Sequence, residues 1–181
     1  MLVVIVIIGV MATFAVLYVG NRALDDRMAT EARRIDELVV LAAEQAVQQG
    51  TELGLLYTRD GYQFLAMDSR TQRWQPVESG ILRARKVPDP FQIELRVEGR
   101  VVQPAEAPMM RAPETDDAKD KAASEADADN GPKPQVLLLS SGEATAFSLD
   151  VHARGYGPFY RLEGDVLGRF KLTLMTTDAR T

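Results

Sequence analysis

Nineteen side chains without a formal charge open this chain: Met1 to Val19 read MLVVIVIIGVMATFAVLYV, and the first charge falls on Arg22. As α-helix the run is about 28 Å long, close to the hydrocarbon thickness of a bilayer. A buried strand usually ends after about four to eight residues. A cleaved secretory signal would carry a basic n-region and a shorter apolar centre. An all-round apolar helix inside a soluble domain would need protein on every side. The run is therefore read as a membrane-resident helix. Its many β-branched residues are tolerable there, because lipid forces backbone hydrogen bonds to close within the segment. Gly9, Ala12 and Ala15, spaced by three, give it a smaller face on which a neighbouring helix could pack closely.

The helix is expected to continue past the apolar run. Leu24, Met28, Ala32, Ile35, Val39, Ala42 and Ala46 recur at spacings of four and three, which places them on one stripe suited to a domain core. Arg22, Asp26, Arg33, Arg34, Glu37, Glu44 and Gln48 fall mostly elsewhere. No proline interrupts the stretch from Met1 to Gly50, and Gly50 is a suitable stop. Residues 1–49 thus read as one helix of roughly 70 Å. Residues 1–19 form its transmembrane part and 22–49 its amphipathic part.

After Gly50 the pattern changes from helical to alternating. GYQFLAM at 61–67 alternates, as do QRWQPV at 72–77 and ILRARKV at 81–87, with Pro76 marking a strand end or edge. PDPF at 88–91 breaks the third segment. FQIELRV at 91–97 is the cleanest example, with Phe91, Ile93, Leu95 and Val97 on one face. The pattern resumes at 135–141, 144–151, 159–164 and 166–175, where Phe170, Leu172 and Leu174 share a face. Around eight short strands without βαβ alternation, behind one long helix, predict an α+β protein built mainly from antiparallel sheet over residues 50–181.

Residues 104–134 interrupt that domain with a different composition. Between 105 and 134 stand eight acids and four bases among Ala and Pro, with few large apolar side chains. Such a segment cannot bury enough surface to offset the entropy of ordering it, so a flexible acidic insertion is expected. Limited proteolysis should cut first within 105–130 and leave two fragments that stay associated. Protection equal to that of the strands would refute this reading.

Composition also narrows the chemistry. The formal charge is −5 and the pI about 5.0, poor material for a phosphate-binding surface, and no nucleic-acid partner is expected. Arg83, Arg85 and Lys86 form the one compact basic group, too small to change that reading. The absence of cysteine excludes disulfides, thiolate zinc sites and cysteine nucleophiles. His152 is the single histidine, without a second His or Cys for a metal. Asp116, Asp117, Asp120, Asp127 and Asp129 lack the loop grammar of a calcium site. Ser140, Ser141 and Ser148 lack a nucleophile-elbow motif, and Gly155 and Gly157 flank a tyrosine without making a phosphate loop. No catalytic set, metal site or cofactor is expected, and the chain does not read as an enzyme.

The opening MLVVIVIIGVMATFAVLYV resembles the hydrophobic helix of type IV pilins and type II secretion pseudopilins, minus its very beginning. In that superfamily a stretch like FTLIE precedes such a run, after a basic leader that prepilin peptidase removes at a glycine. Met1 would lie immediately after the family's glutamate, so a native precursor extending upstream, with a methylated mature N-terminus, is expected. Asp25 and Asp26 lie too far down the helix to replace that glutamate. Further along, DGYQFLAMD at 60–68 followed by Trp74, LLLSSGEATAFSLDV at 137–151 and GRFKLTL at 168–174 resemble the H-type minor pseudopilins, the GspH family.

The resemblance implies a β-sandwich of two antiparallel sheets behind the long helix. It implies a subunit near the tip of a periplasmic pseudopilus that helps export folded proteins across the outer membrane. It places the first helix in the bacterial inner membrane as a single pass, with the C-terminal domain in the periplasm. The implied partners are other minor and major pseudopilins, the inner-membrane platform, the lipid bilayer, and secreted substrates or the outer-membrane channel. Two alternatives stand beside it: a minor pilin of a type IV pilus, which has almost the same architecture, and a monomeric membrane-anchored binding module.

Overall fold

The computed structural model describes residues 2–105 and 131–176, with side chains from residue 22 onward. One uninterrupted helix, α1 (Leu2–Gln49), comprises 48 residues and spans about 72 Å. Gly50, at φ 61°, takes the left-handed conformation that ends it. Among the described residues no helix is long and apolar enough to cross a membrane. The side chains of residues 1–19, on which the transmembrane reading rests, lie outside the described residues, as do those of Gly9, Ala12 and Ala15.

Ten strands follow among the described residues. They are β1 (Leu53–Thr58), β2 (Gly61–Asp68), β3 (Arg73–Pro76), β4 (Arg85–Lys86), β5 (Phe91–Val97), β6 (Arg100–Val101), β7 (Val136–Leu138), β8 (Phe147–Ala153), β9 (Phe159–Gly164) and β10 (Phe170–Met175). One sheet runs β3-β2-β1-β7 with β4 also paired to β2; the other runs β10-β9-β8-β5-β6. All strand pairs are antiparallel. The architecture is α+β, a long N-terminal helix packed on two antiparallel sheets.

Helix and sheets meet in a single core. Met28, Ala32, Ile35, Val39, Ala42 and Ala46 are buried in it and Leu24 is partly buried against it. Leu38, between the stripe residues, is buried as well. The first sheet contributes Leu53, Leu55, Tyr57, Tyr62 and Phe64, and the second Leu95, Phe147, Leu149, Val151 and Leu162. The Tyr57 hydroxyl crosses between sheets and donates to the Ile93 carbonyl at 2.8 Å, which satisfies its polar tip inside the core. Two glycines are set by close approach. The Phe147 ring lies where a Gly164 side chain would stand, and the Arg85 carbonyl oxygen where a Gly61 side chain would stand.

Two expectations about strands need correction, and one strand was not foreseen. LGLLYT at 53–58 forms β1, although its alternation is hidden because both faces are covered and five of its residues are buried. ILRARKV at 81–87 reduces to the two-residue β4; Leu82 drops into the core at 4% exposure while Ile81 stands out at 62%. The last strand starts at Phe170, since 165–168 is a turn held by Asp165. Phe170 and Leu172 pack on the core, but Leu174 near its end remains exposed.

Candidate assembly surface

The domain grips α1 from Leu24 to Ala46, so the helix leaves it at about residue 22. Two loops form a collar there. Before β5, the Asp89 carbonyl accepts from Arg27 at 3.3 Å, and the Arg27 guanidinium lies over the Phe91 ring at 5.7 Å. From the β8–β9 connection, the Tyr156 hydroxyl donates to Asp25 Oδ1 at 2.6 Å. That hydrogen bond to a carboxylate, with some burial, pushes the Tyr156 phenol up to about 12. Aspartate at 25 is therefore used in holding the helix. The exposed side of α1 carries Arg22, Asp26, Arg33, Glu37 and Glu44.

Glu31 breaks the simple division between apolar stripe and charged face. It is buried within the helix–sheet contact and pairs with Arg34 at 2.9 Å. Burial raises its carboxyl above the usual range, and the charges of Arg34 and Arg85 offset that only in part. Nothing in the stripe's spacing reveals it. Glu31 sits one place before Ala32, and only tertiary packing accounts for its 3% exposure.

The outer face of the second sheet is polar. Register sets Glu94 beside Asp150 and Asp150 beside Arg161 across β5, β8 and β9. Arg161 grips Asp150 with two hydrogen bonds of 2.7 Å, Nε to Oδ1 and Nη2 to Oδ2. Arg96 joins from the next position, 2.7 Å from Glu94 and 3.8 Å from Asp150. The fork geometry gives the Asp150–Arg161 pair direction as well as charge. Asp150 is 7% exposed, so this pair is a structural bolt across two strands. His152 is half-buried on the same face opposite Gln92. Among the described residues no group of three His, Cys, Asp or Glu side chains is placed to hold a metal ion. The acids at 116–129 lie outside the described residues.

The insertion is rooted at the first sheet. Gln135 accepts from the Tyr57 N–H through Oε1 at 2.6 Å and donates through Nε2 to the Gln103 carbonyl at 3.0 Å. Ala105 N donates to Tyr57 O at 2.9 Å, and Gln135 N to Leu55 O at 3.0 Å. One side chain thereby fastens both roots to β1. Arg83 is exposed, whereas Arg85 turns inward and donates to the Ile81 carbonyl, so the basic trio does not form one surface.

At the far end of α1, the Asp165 carboxylate accepts from the N–H groups of Leu167 and Arg169 and pairs with the Arg169 guanidinium. These contacts, the Arg169 side chain first, hold the Asp165 carboxyl below its ordinary value. The turn presents Val166 and Leu167 to solvent, near the exposed Val47 of α1. Taken together the surfaces can bind, orient and pack.

No family model matches the chain. Type II secretion system protein H of Pseudomonas aeruginosa is 30% identical over 155 residues, which cover 86% of this chain and 80% of that protein. Its namesake from Aeromonas hydrophila is 25% identical over 174 residues, covering 94% and 88% respectively. Among solved structures, the minor pseudopilin EpsH of the type II secretion system of Vibrio cholerae superposes with a TM-score of 0.61. That match has 19% identity and covers 87% of this chain and 99% of that one. The solution structure of E. coli GspH gives 0.57 at 18% identity, covering 87% and 94%.

Proposed function

Because the chain belongs to the type II secretion system protein H family, the H-type minor pseudopilins, we propose that it works by assembly, as a subunit near the tip of a periplasmic pseudopilus. Its partners are other pseudopilins and the secretion machinery. The supporting observation is the division of α1: the domain covers the helix only from Leu24 to Ala46, and the uncharged run at 1–19 precedes that grip. The run anchors the subunit in the inner membrane as a single pass, with residues 50–181 in the periplasm. After extraction it packs among neighbouring helices, where Gly9, Ala12 and Ala15 permit close approach. The inner-membrane platform is the partner that hands the subunit over; secreted substrates or the outer-membrane channel are met at the other end.

Complementation of a deletion strain tests this role. Secreted enzyme in the medium is measured beside the membrane abundance of the subunit. Wild-type protein should restore secretion, and Gly9→Leu should reduce it at least several-fold at normal abundance. Normal secretion in the complete deletion, with loss of a pilus-dependent behaviour, would transfer the role to a type IV pilus.

A further inference from the structure

We infer that Glu31, Tyr62 and Arg85 enclose an internal water molecule where α1 meets β2 and β4. Glu31 Oε1, Tyr62 Oη and Arg85 Nε are sealed from solvent without a protein hydrogen-bond partner. Glu31 is 3% exposed and Tyr62 1%. Tyr62 and Arg85 are direct partners across the β2–β4 pairing, so their side chains leave the sheet on the same face. The helix brings Glu31 to them: its charge acts on the Tyr62 hydroxyl, as does that of Arg85, and Arg85 acts in turn on Glu31.

Two other polar atoms of the cluster are already engaged. Glu31 Oε2 accepts from Arg34 at 2.9 Å, and Arg85 Nη2 donates to the Ile81 carbonyl at 3.1 Å. The sealed atoms are one carboxylate oxygen that only accepts, one guanidinium N–H that only donates, and one hydroxyl that does either. Water, with two donors and two acceptors, serves all three together. It accepts from Arg85 Nε, donates to Glu31 Oε1, and completes its set with Tyr62 Oη. About three hydrogen bonds is the usual complement of an internal water. A groove of about 310 Å³, lined by Glu31 with Asp26, Arg27, Thr30, Arg34, Pro88 and Phe91, opens beside Glu31. The water then acts as a joint that connects the helix to the β2–β4 strand pair.

Tyr62→Phe in the full-length protein, purified in detergent micelles, gives a result whose sign decides the matter. If the hydroxyl holds a water, its removal leaves that water short of a partner, and Tm should fall by about 2–4 °C. If the hydroxyl is an orphan, its removal relieves a buried unsatisfied group; an unchanged or raised Tm would overturn the inference. Water-selective NMR on protein with labelled tyrosine separates a bound water from a direct Tyr62–Glu31 contact. A cross-peak between water and the Tyr62 ring, with the sign of slow tumbling, is expected. Its absence would overturn the inference even if Tm falls.

Discussion

Ile35→Asp is expected to prevent the domain from folding. Ile35 is fully buried, with Ala32 and Val39 beside it on the helix and both sheets contributing to the surrounding core. The substitution removes most of a large apolar side chain, about 2–3 kcal/mol by transfer alone. It also places a carboxylate among the apolar side chains of the core, which adds several kcal/mol even after the group protonates. Together these reach the full stability of an ordinary domain, about 5–15 kcal/mol. Circular dichroism and urea titration of the purified protein should show loss of the cooperative transition. Arg33→Asp, on the exposed side two positions earlier, should change stability by less than about 1 kcal/mol. Comparable stabilities for the two variants would show that the stripe does not hold helix to sheet.

Asp150→Ala should be the next most damaging change, at about 2–4 kcal/mol. The loss arises less from the attraction of the pair than from the Arg161 guanidinium left behind, three-quarters covered, with its fork unfilled. Arg96 cannot relieve it, since it bears the same charge. The double variant Asp150→Ala/Arg161→Leu should recover most of the stability, because removing both partners removes the orphan. Urea midpoints of the two single variants and the double variant form the cycle that checks this. A double variant as unstable as the sum of the singles would show that the two residues act independently.

How much of this could be read from residues alone depended on the range of the forces involved. The long helix and its stripe are local facts: spacing of four and three is a property of 3.6 residues per turn, and Met28 to Ala46 are buried accordingly. The strand at 91–97 was legible because one face meets the core and the other meets water. At 53–58 both faces are covered, so Leu55 and Leu56 are equally buried and no alternation remains to be seen. Leu82 was hidden for a different reason, since it is buried from a turn that has no period. The pairs Asp150–Arg161, Asp25–Tyr156 and Gln135–Gln103 join positions made neighbours only by strand register or loop closure. Each of these side chains is unremarkable in its own sequence context. Their partners are fixed by topology, which lies beyond any local pattern. The same limit applies to Glu31, whose burial at 3% exposure follows from tertiary packing and not from its place in the helix period.

The collar at Asp25 and Arg27 has a consequence for rotation. A helix turns by about 100° with each residue and advances 1.5 Å. Since α1 is one unbroken element from Leu2 to Gln49, and two loops fix it at its exit from the domain, helix and domain share a common angular phase. The azimuth at which residues 2–21 are held therefore dictates the compass direction in which the polar sheet and the Val166–Leu167 turn both face. In an assembly built from such subunits, each domain points where its helix has been wound to point, as a key's teeth are oriented by its shaft.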